Sequence, residues 1–449
     1  MGRLFGTDGV RGLANEMLSC DLVYKLGQAS AKVFTMAKHR PRILVGRDTR
    51  LSGDMLEAAL VAGICSVGGE ARVLGVVPTP AVAYLARHYK ADAGIMISAS
   101  HNSMEYNGIK IFNRKGYKLS DELEERIEAI VLDNSEEMLC PTGIHVGRIV
   151  RVKNAINHYV EFIKSTIDVE LKGLKLVVDC ANGSASKLAP MVLRELGADV
   201  HAIYDDPDGI NINNLCGSTY PGTLQDYVVE RGADLGLAFD GDADRLIAVD
   251  ENGELIDGDQ MLVVCGLDMK QRGTLKNNTV VGTVMSNLGF EKVLQKAGCQ
   301  VIQTNVGDRY VLEKMLEDGY NIGGEQSGHI IFLDYNTTGD GLLTALQLLS
   351  IMKREDKKMS KLVRVMEKFP QVLENAKVLE DNKRDYDKDE EIQKEIKRIE
   401  DRFKGEGRVL IRPSGTEPLV RVMIEGKDQR EIEEYAVGLA RLIEKRLNK

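Results

Sequence analysis

No stretch of this 449-residue chain approaches the ~18 uninterrupted apolar residues that a membrane span requires, so no membrane partner is expected. The opening Met1-Gly2-Arg3-Leu4-Phe5-Gly6 reaches the charged Asp8 before an apolar segment can build, which predicts no secretory leader and a cytoplasmic location. The seven cysteines (Cys20, Cys65, Cys140, Cys180, Cys216, Cys265, Cys299) contain no Cys-x-x-Cys pair and are odd in number. They read as reduced, mostly buried thiols, and no zinc site is expected. Cys65, which follows Ala62-Gly63-Ile64, has the setting of a small hydrophobe. Basic residues are not in excess either: 59 Lys and Arg stand against 68 Asp and Glu, for a formal charge of -9, which argues against a nucleic-acid partner. No G-x-x-x-x-G-K-[ST] occurs, and that removes the P-loop kinases.

What is present is length and repetition. Single hydrophobic cores stop growing near ~250–300 residues, so three or four domains are expected. An apolar run over 42–45 enters a turn at Gly46-Arg47-Asp48, and a helical pattern follows over 52–67. A strand over 71–77, a short helix over 81–88 and a strand over 94–97 lead to the loop Ser98-Ala99-Ser100-His101-Asn102, after which 109–112 returns. The same order recurs from a strand over 174–179 and a helix over 187–196 to a strand over 235–239, the loop Asp240-Gly241-Asp242-Ala243-Asp244-Arg245 and the return 246–249. It recurs again from 279–282 and a helix over 290–296 to 322–324, the loop Glu325-Gln326-Ser327-Gly328-His329 and the return 330–332. Three related α/β domains are therefore predicted, each offering one loop at the end of a strand, where open α/β sheets place ligands.

From 353 to 404 the chain turns highly charged, which reads as solvated helix faces, with Ile392, Ile396 and Ile399 at helical spacing. Strands over 409–411 and 420–424 around the turn Arg412-Pro413-Ser414-Gly415-Thr416-Glu417-Pro418, then an amphipathic helix over 430–447, predict a smaller α+β C-terminal domain. The expected domain bounds are 1–150, 151–255, 256–370 and 371–449.

Asp240, Asp242 and Asp244 alternate after an apolar strand, and on an extended backbone all three carboxylates point one way, towards a shared hard cation. An EF-hand is the competing pattern, and Glu251 falls at its twelfth position, but Arg245 stands where that loop needs glycine and strands flank it instead of helices. The Ser98 to Asn102 turn presents hydroxyls beside His101, and a serine facing a divalent cation is suited to carrying a phosphoryl group. The 325–329 loop gathers donor, acceptor and imidazole groups suited to a polyhydroxylated ligand. Arg412, Ser414 and Thr416 around Gly415 have the makings of a phosphate cradle, and the glycine-flanked Thr7-Asp8-Gly9-Val10-Arg11 can bring Arg11 to the same phosphate.

Taken in order, these loops, together with Gly6-Thr7-Asp8-Gly9-Val10-Arg11-Gly12 and Gly46-Arg47-Asp48-Thr49-Arg50-Leu51-Ser52-Gly53, resemble the α-D-phosphohexomutase superfamily over essentially the whole chain. Glu325-Gln326-Ser327 resembles its amino-sugar branch. The resemblance implies an active site in the central cleft with Ser100 as phosphoserine, and Asp240, Asp242 and Asp244 holding Mg²⁺ with a phosphoserine oxygen. It further implies that Glu325, Ser327 and His329 bind sugar hydroxyls, that Thr7, Arg11, Arg412, Ser414, Gly415 and Thr416 bind phosphate, and that Arg245 stabilises the transferring group. Lys110 and His101 are the candidates for general acid and base. The implied reaction interconverts glucosamine 6-phosphate and glucosamine 1-phosphate through a 1,6-bisphosphate, upstream of UDP-N-acetylglucosamine and peptidoglycan precursors. Glucosamine or glucose 1,6-bisphosphate would prime it, the fourth domain would close over substrate, and a homodimer is implied. The sequence departs from the Thr-Ala-Ser-His-Asn-Pro pattern with Ser98 and Ser103, and Ser98 adds a second hydroxyl. Three rivals stay open: the same machinery acting on mannose or glucose phosphates, an aspartyl-phosphate phosphatase using Asp240, and a sugar-phosphate sensor without turnover.

Overall fold

The computed structural model describes residues 2–6, 8–35, 40–414 and 417–448, in two compact units. The first comprises Met1–Met285 with Gly298–Val365, the second Ser286–Ala297 with Met366–Lys449.

The first unit opens with β1 (Val10–Leu13), α1 (Cys20–Phe34), β2 (Arg42–Arg47), α2 (Ser52–Ser66), β3 (Glu70–Val76), α3 (Thr79–His88), β4 (Ala93–Ile97), β5 (Tyr106–Asn113), α4 (Asp121–Asp133) and β6 (Arg148–Arg151). The strands form one sheet in the order β1-β5-β4-β2-β3-β6. All five residues of β4 are buried, the continuous apolar run expected of a strand covered on both faces. After α5 (Ala155–Lys164) comes a second sheet from β7 (Lys175–Asp179), α6 (Ala185–Glu195), β8 (Asp199–Ile203), α7 (Gly222–Arg231), β9 (Leu235–Phe239), β10 (Leu246–Asp250) and β11 (Leu255–Ile256), in the order β11-β10-β9-β7-β8. A third follows α8 (Gly258–Gln271). In chain order it is β12 (Thr279–Thr283), α9 (Leu288–Lys296), β13 (Gln300–Thr304), α10 (Asp308–Asp318), β14 (Ile322–Gly324) and β15 (Ile330–Phe332), with strands ordered β13-β12-β14-β15. α11 (Gly341–Glu355) and α12 (Met359–Val363) complete this unit, whereas α9 belongs to the second.

The three sheets share one topology. A central strand (β2, β7, β12) lies parallel to the next two strands of its repeat, and the third strand (β4, β9, β14) folds back antiparallel into the fourth. Internal repetition is therefore real, and the sheets are mixed because the return strand runs against its neighbour. The three reacting-loop candidates all sit at that fold-back, at the C-terminal end of the third strand. Two edge strands with their helices, β8 with α7 and β13 with α10, were not foreseen by periodicity. Each is only half covered, so its apolar signal is weak.

The second unit carries the antiparallel sheet β16 (Gln371–Lys377), β18 (Leu419–Gly426), β17 (Gly407–Pro413), in that spatial order, with α13 (Glu390–Phe403) and α14 (Gln429–Leu447). Ile392 and Ile399 of α13 join Val420, Val422, Ile424, Leu439 and Ile443 in its core, so the charged run does supply a helix with one buried stripe. Asp389 and Asp428 cap the two helices by accepting first-turn N–H groups. All seven cysteines are free, and four of them are buried. Among the described residues no helix is long and apolar enough to cross a membrane.

Candidate active site

Ser100 follows β4 and is 1% exposed. Its backbone is left-handed, with φ at 54°, a conformation that costs a non-glycine residue about 1–2 kcal/mol and so must be held by its surroundings. The holding groups are identifiable. Arg50, whose side chain has no solvent exposure, donates from Nη2 to the Ser100 carbonyl at 2.9 Å and the Asn102 carbonyl at 2.8 Å, and from Nη1 to that of Ser103. Asn213 Nδ2 donates to the same Ser100 and Asn102 carbonyls, each at 2.9 Å. Arg50 is itself fixed by Asp48, with Nε 2.9 Å from Oδ2. Burial pushes the Asp48 carboxyl up, and Arg50 and Ser98 work against that rise. Ser98 Oγ donates to Asp48 Oδ2 at 2.6 Å and accepts from Ser100 N at 2.9 Å, so this second hydroxyl is committed to the scaffold. The outcome is a single aim: Ser100 Oγ donates to Asp240 Oδ2 at 2.6 Å.

Asp240, Asp242 and Asp244 are all buried, and each brings a carboxylate oxygen within 4.8 Å of the others. Their convergence does not come from an extended backbone. Ala243 is left-handed and its N–H closes a turn onto the Asp240 carbonyl at 3.0 Å, so the loop curls its acids together. Gly241 is required there, since a Cβ would stand 2.7 Å from the Ser100 carbonyl oxygen and 2.4–2.8 Å separates the Gly241 backbone from a Cβ built on Gly183. Burial, reinforced by Asp244 and Asp242, pushes the Asp240 carboxyl far above the usual carboxylate range. Lys110 of β5 reaches Asp242 Oδ2 at 2.8 Å, Asp244 Oδ2 at 3.1 Å and Asp8 Oδ2 at 3.0 Å. Burial alone would favour the neutral amine, but these three carboxylates reverse that and hold Lys110 cationic. Thr79, at the start of α3, donates Oγ1 to Asp242 Oδ2 at 2.5 Å. Among the described residues Asp242 Oδ1 and Asp244 Oδ1 remain buried without a hydrogen-bond partner. Two stranded carboxylate oxygens beside a third acid that resists ionisation are a donor set that a hard divalent cation satisfies.

Around this centre the N-terminal and third-repeat loops add alternating charge. Asp8 pairs with Arg11 and lies 2.5 Å from Lys118 Nζ, which also reaches Asp308 Oδ2 at 2.6 Å. His329 is buried, with Nδ1 3.7 Å from Asp244 Oδ1 and Nε2 accepting the Gly339 N–H at 3.0 Å. That accepted bond places the ring proton on Nδ1, towards Asp244. Glu325 accepts from Gly307 N at 3.1 Å, and Ser327 is exposed at the tip of its loop. Among the described residues Arg245 and Arg11 each keep a buried Nε without a hydrogen-bond partner. His101 Nδ1 is 3.4 Å from Ser100 Oγ. Burial, then the Arg245 and Arg11 charges, push its imidazole down to about 4, so it is neutral at pH 7.

In the second unit Arg412 and Arg421 face each other directly across β17 and β18. Opposed like charges are unfavourable on a sheet, and burial and Arg421 both push the Arg412 guanidinium down. Lys383 Nζ donates to the Ser414 carbonyl at 2.8 Å, which braces the turn that follows Arg412.

Four domain models of the phosphoglucomutase/phosphomannomutase family match the chain in order: alpha/beta/alpha domain I over 2–138, domain II over 157–253, domain III over 257–369 and the C-terminal domain over 361–442. A phosphoglucosamine mutase of Clostridium novyi is 62% identical over 100% of both chains. The chain belongs to the phosphoglucosamine mutase family, within the α-D-phosphohexomutase superfamily. Among solved structures, a phosphoglucomutase/phosphomannomutase family protein of Burkholderia thailandensis superposes with a TM-score of 0.80 at 25% identity, covering 98% of this chain and 97% of that one. An Aspergillus fumigatus N-acetylphosphoglucosamine mutase, solved in complex with GlcNAc-6P and magnesium, shares the fold at a TM-score of 0.66 and 19% identity, covering 99% and 96%.

For this phosphoglucosamine mutase family member, the first unit brings Ser100, His101, Lys110, Arg11, the three aspartates, Arg245, Glu325 and His329 into one connected network. Arg412 and Ser414 lie in the second unit, and Thr7, Gly415 and Thr416 lie outside the described residues. Sequence reasoning gave no role to Asp8, Asp48, Arg50, Thr79, Lys118, Asn213 or Asp308. Asp8, Asp48 and Arg50 stood inside motifs already singled out; the other four stand alone in the sequence with no local pattern to mark them.

Proposed function

We propose that this enzyme, an isomerase, interconverts glucosamine 6-phosphate and glucosamine 1-phosphate by phosphoryl transfer through Ser100. The observation that carries the reading is the aim of Ser100 Oγ at Asp240 Oδ2, 2.6 Å away, inside a buried acid cluster with one cationic lysine. Phosphorylated Ser100 gives its phosphoryl to the sugar 1-hydroxyl: the bond from phosphorus to Ser100 Oγ breaks, a bond to the sugar oxygen forms, and the hydroxyl proton leaves. A 1,6-bisphosphate results. It turns over, and its 6-phosphoryl returns to Ser100. Lys110, held cationic, is suited to donating a proton, and neutral His101 to accepting one. Arg245 and Arg11 face the transferring group with unpaired N–H capacity, Glu325, Ser327 and His329 take the sugar hydroxyls, and Thr7, Arg412, Ser414, Gly415 and Thr416 take the non-reacting phosphate. Asp240, Asp242 and Asp244 would hold Mg²⁺, which neutralises charge on the phosphoryl group when bound.

The same reading divides the chain at 1–150, 151–255, 256–370 and 371–449, and sets it in the cytoplasm, as a homodimer primed by glucosamine or glucose 1,6-bisphosphate. The test is peptide mass spectrometry of the purified protein coupled to turnover assays with glucosamine, glucose and mannose 6-phosphates. Phosphate on Ser100, activity tracking its occupancy, and preference for the amino sugar are expected. Turnover without phosphoserine would sink the mechanism, and preference for glucose or mannose would reassign the substrate.

A further inference from the structure

The loop that carries Arg11 and the loop that carries Glu325 and His329 lie far apart in the sequence, and one side chain joins them. Lys118 leaves the turn after β5, where Asn113 Oδ1 accepts the Lys115 and Tyr117 N–H groups at 2.8 and 3.3 Å. Gly116 makes that turn possible: its φ is 78°, and a Cβ would stand 2.6 Å from the Ala83 carbonyl oxygen. The third repeat braces the turn, with Thr337 Oγ1 donating to the Gly116 carbonyl at 2.6 Å. The chain then doubles back, so that Lys118 pairs with Phe112 in an isolated antiparallel bridge, and its side chain is 13% exposed.

Lys118 Nζ donates to Asp8 Oδ1 at 2.5 Å and to Asp308 Oδ2 at 2.6 Å. Burial opposes the ammonium charge, and Asp308 and Asp8 outweigh it. Each acid is attached in turn to a group proposed to hold substrate. Asp8 pairs with Arg11. Asp308 Oδ2 stands 3.4 Å from His329 Nε2, and Gly307, the residue before it, donates its N–H to Glu325 at 3.1 Å. The two acids are unequally supported. Asp8 also has Lys110, 3.0 Å away, whereas among the described residues Lys118 is the only lysine or arginine paired with Asp308. Without Lys118 two shielded carboxylates would face each other with no cation between them, and their repulsion would part the two loops. The helix itself would stay docked, because Arg309 separately ties α10 to Asp121 and Glu124 of α4, at 2.5 and 3.2 Å.

We propose that Lys118 is a positioning residue for substrate binding: by holding Asp8 and Asp308 together it sets Arg11 at the distance from Glu325 and His329 that one phosphosugar spans. The roles of those three residues rest on the mutase reading, whereas the bridge does not.

The test is calorimetric titration of the full-length protein with whichever of glucosamine, glucose and mannose 6-phosphates the wild type binds most tightly, beside steady-state kinetics and thermal melts. Lys118→Met is expected to weaken the dissociation constant about tenfold or more and to raise KM in parallel, with kcat within about threefold of wild type, since Ser100 and its clamp are untouched. Lys118→Arg, whose fork reaches two acids, is expected to restore binding to within about threefold. A double-mutant cycle with Asp308→Asn decides how Lys118 acts. Removing the repelling acid relieves the loops, so Lys118→Met/Asp308→Asn is expected to bind no worse than Lys118→Met alone. Lys118→Gln, which keeps a donor for one acid, takes the place of Lys118→Met in the cycle if the latter does not fold. Losses that multiply independently would mean that Lys118 touches the phosphosugar itself, and a lower melting temperature with an unchanged dissociation constant would make it a structural ion only; either result overturns the proposal. Wild-type binding without turnover would overturn the mutase reading alone, because the cycle in dissociation constants still decides the bridge. Failure of the wild type to bind any of the three would overturn both.

Discussion

At the scale of single residues, Arg50 has the largest consequence for the least visibility. Its guanidinium touches no reacting atom, yet it fixes the carbonyls of Ser100, Asn102 and Ser103 while Asp48 neutralises it. A planar fork can serve several acceptors at once, and a lysine ammonium cannot reproduce that geometry. Arg50→Lys is therefore expected to lower kcat by about 10- to 100-fold with KM nearly unchanged, because Ser100 Oγ loses its aim while the sugar-binding groups stay in place. Arg50→Met removes the charge altogether and leaves Asp48 buried and unpaired, a change that costs about 3–5 kcal/mol in comparable pairs and should appear as lost stability. Steady-state kinetics beside thermal melts separates the two; a Lys variant with normal kcat would show that the clamp does not aim the serine. The proposed reacting groups stood out in the sequence because they cluster in short motifs. Their supports were not. Thr79, Asn213 and Asp308 reach the site only through the fold, from a helix start, a loop and another helix start respectively.

At the scale of elements, each reacting loop is positioned by a strand that ends beside another loop, and the tolerances are set by close backbone approach. A methyl group on Gly241 would meet the Ser100 carbonyl at 2.7 Å, Asn213 Nδ2 at 2.9 Å and Ile212 Cδ1 at 2.8 Å. Gly241→Ala is expected to push the aspartate loop off the serine loop and lower kcat by about 100-fold, with phosphoserine occupancy reduced in the purified protein. Normal occupancy and kcat would show that the loops do not need this contact. Capping provides a second element-scale expectation. Asp340 starts α11 by accepting from Leu343 N at 3.0 Å, and also receives the Tyr159 hydroxyl at 2.9 Å. Burial pushes its carboxyl up to about 6 despite those bonds, and burial does the same to Asp179. A carboxyl with a folded-state pKa above its unfolded value near ~3.9 retains a proton that the unfolded chain has lost. Stability from this source is fully present below pH ~4 and is lost as pH rises through about 6. Asp340→Asn should therefore flatten the fall in melting temperature between those pH values; an unaltered slope would exclude Asp340 as its origin. The third strands of the first two repeats and their fold-back loops were readable because β4 and β9 are buried along their whole length. The edge strands β8 and β13 were not, since half-exposed strands carry mixed side chains that resemble loop.

At the scale of the whole molecule, the net charge of -9 says little, because the decisive imbalance is local. Asp240, Asp242 and Asp244 are packed together, Lys110 reaches the last two and Asp8, which Arg11 and Lys118 also neutralise, and Asp242 Oδ1 and Asp244 Oδ1 have no hydrogen-bond partner among the described residues. Folding assembles that repulsion, so a divalent cation that binds only the folded chain should stabilise it. Free Mg²⁺ at 100 times its dissociation constant contributes about 2.7 kcal/mol, enough to raise the melting temperature by several degrees. Chelation is expected to abolish turnover and lower the melting temperature, and restored Mg²⁺ to recover both. Substitution distinguishes a bound cation from general screening. Asp244→Asn removes one ligand and should shrink the Mg²⁺-dependent rise. Lys110→Met should instead lower the metal-free melting temperature and enlarge the rise, because Mg²⁺ then neutralises charge that the lysine had offset. Equal melting shifts in wild type, Asp244→Asn and Lys110→Met would mean that the three aspartates do not hold the ion, whatever chelation does to turnover.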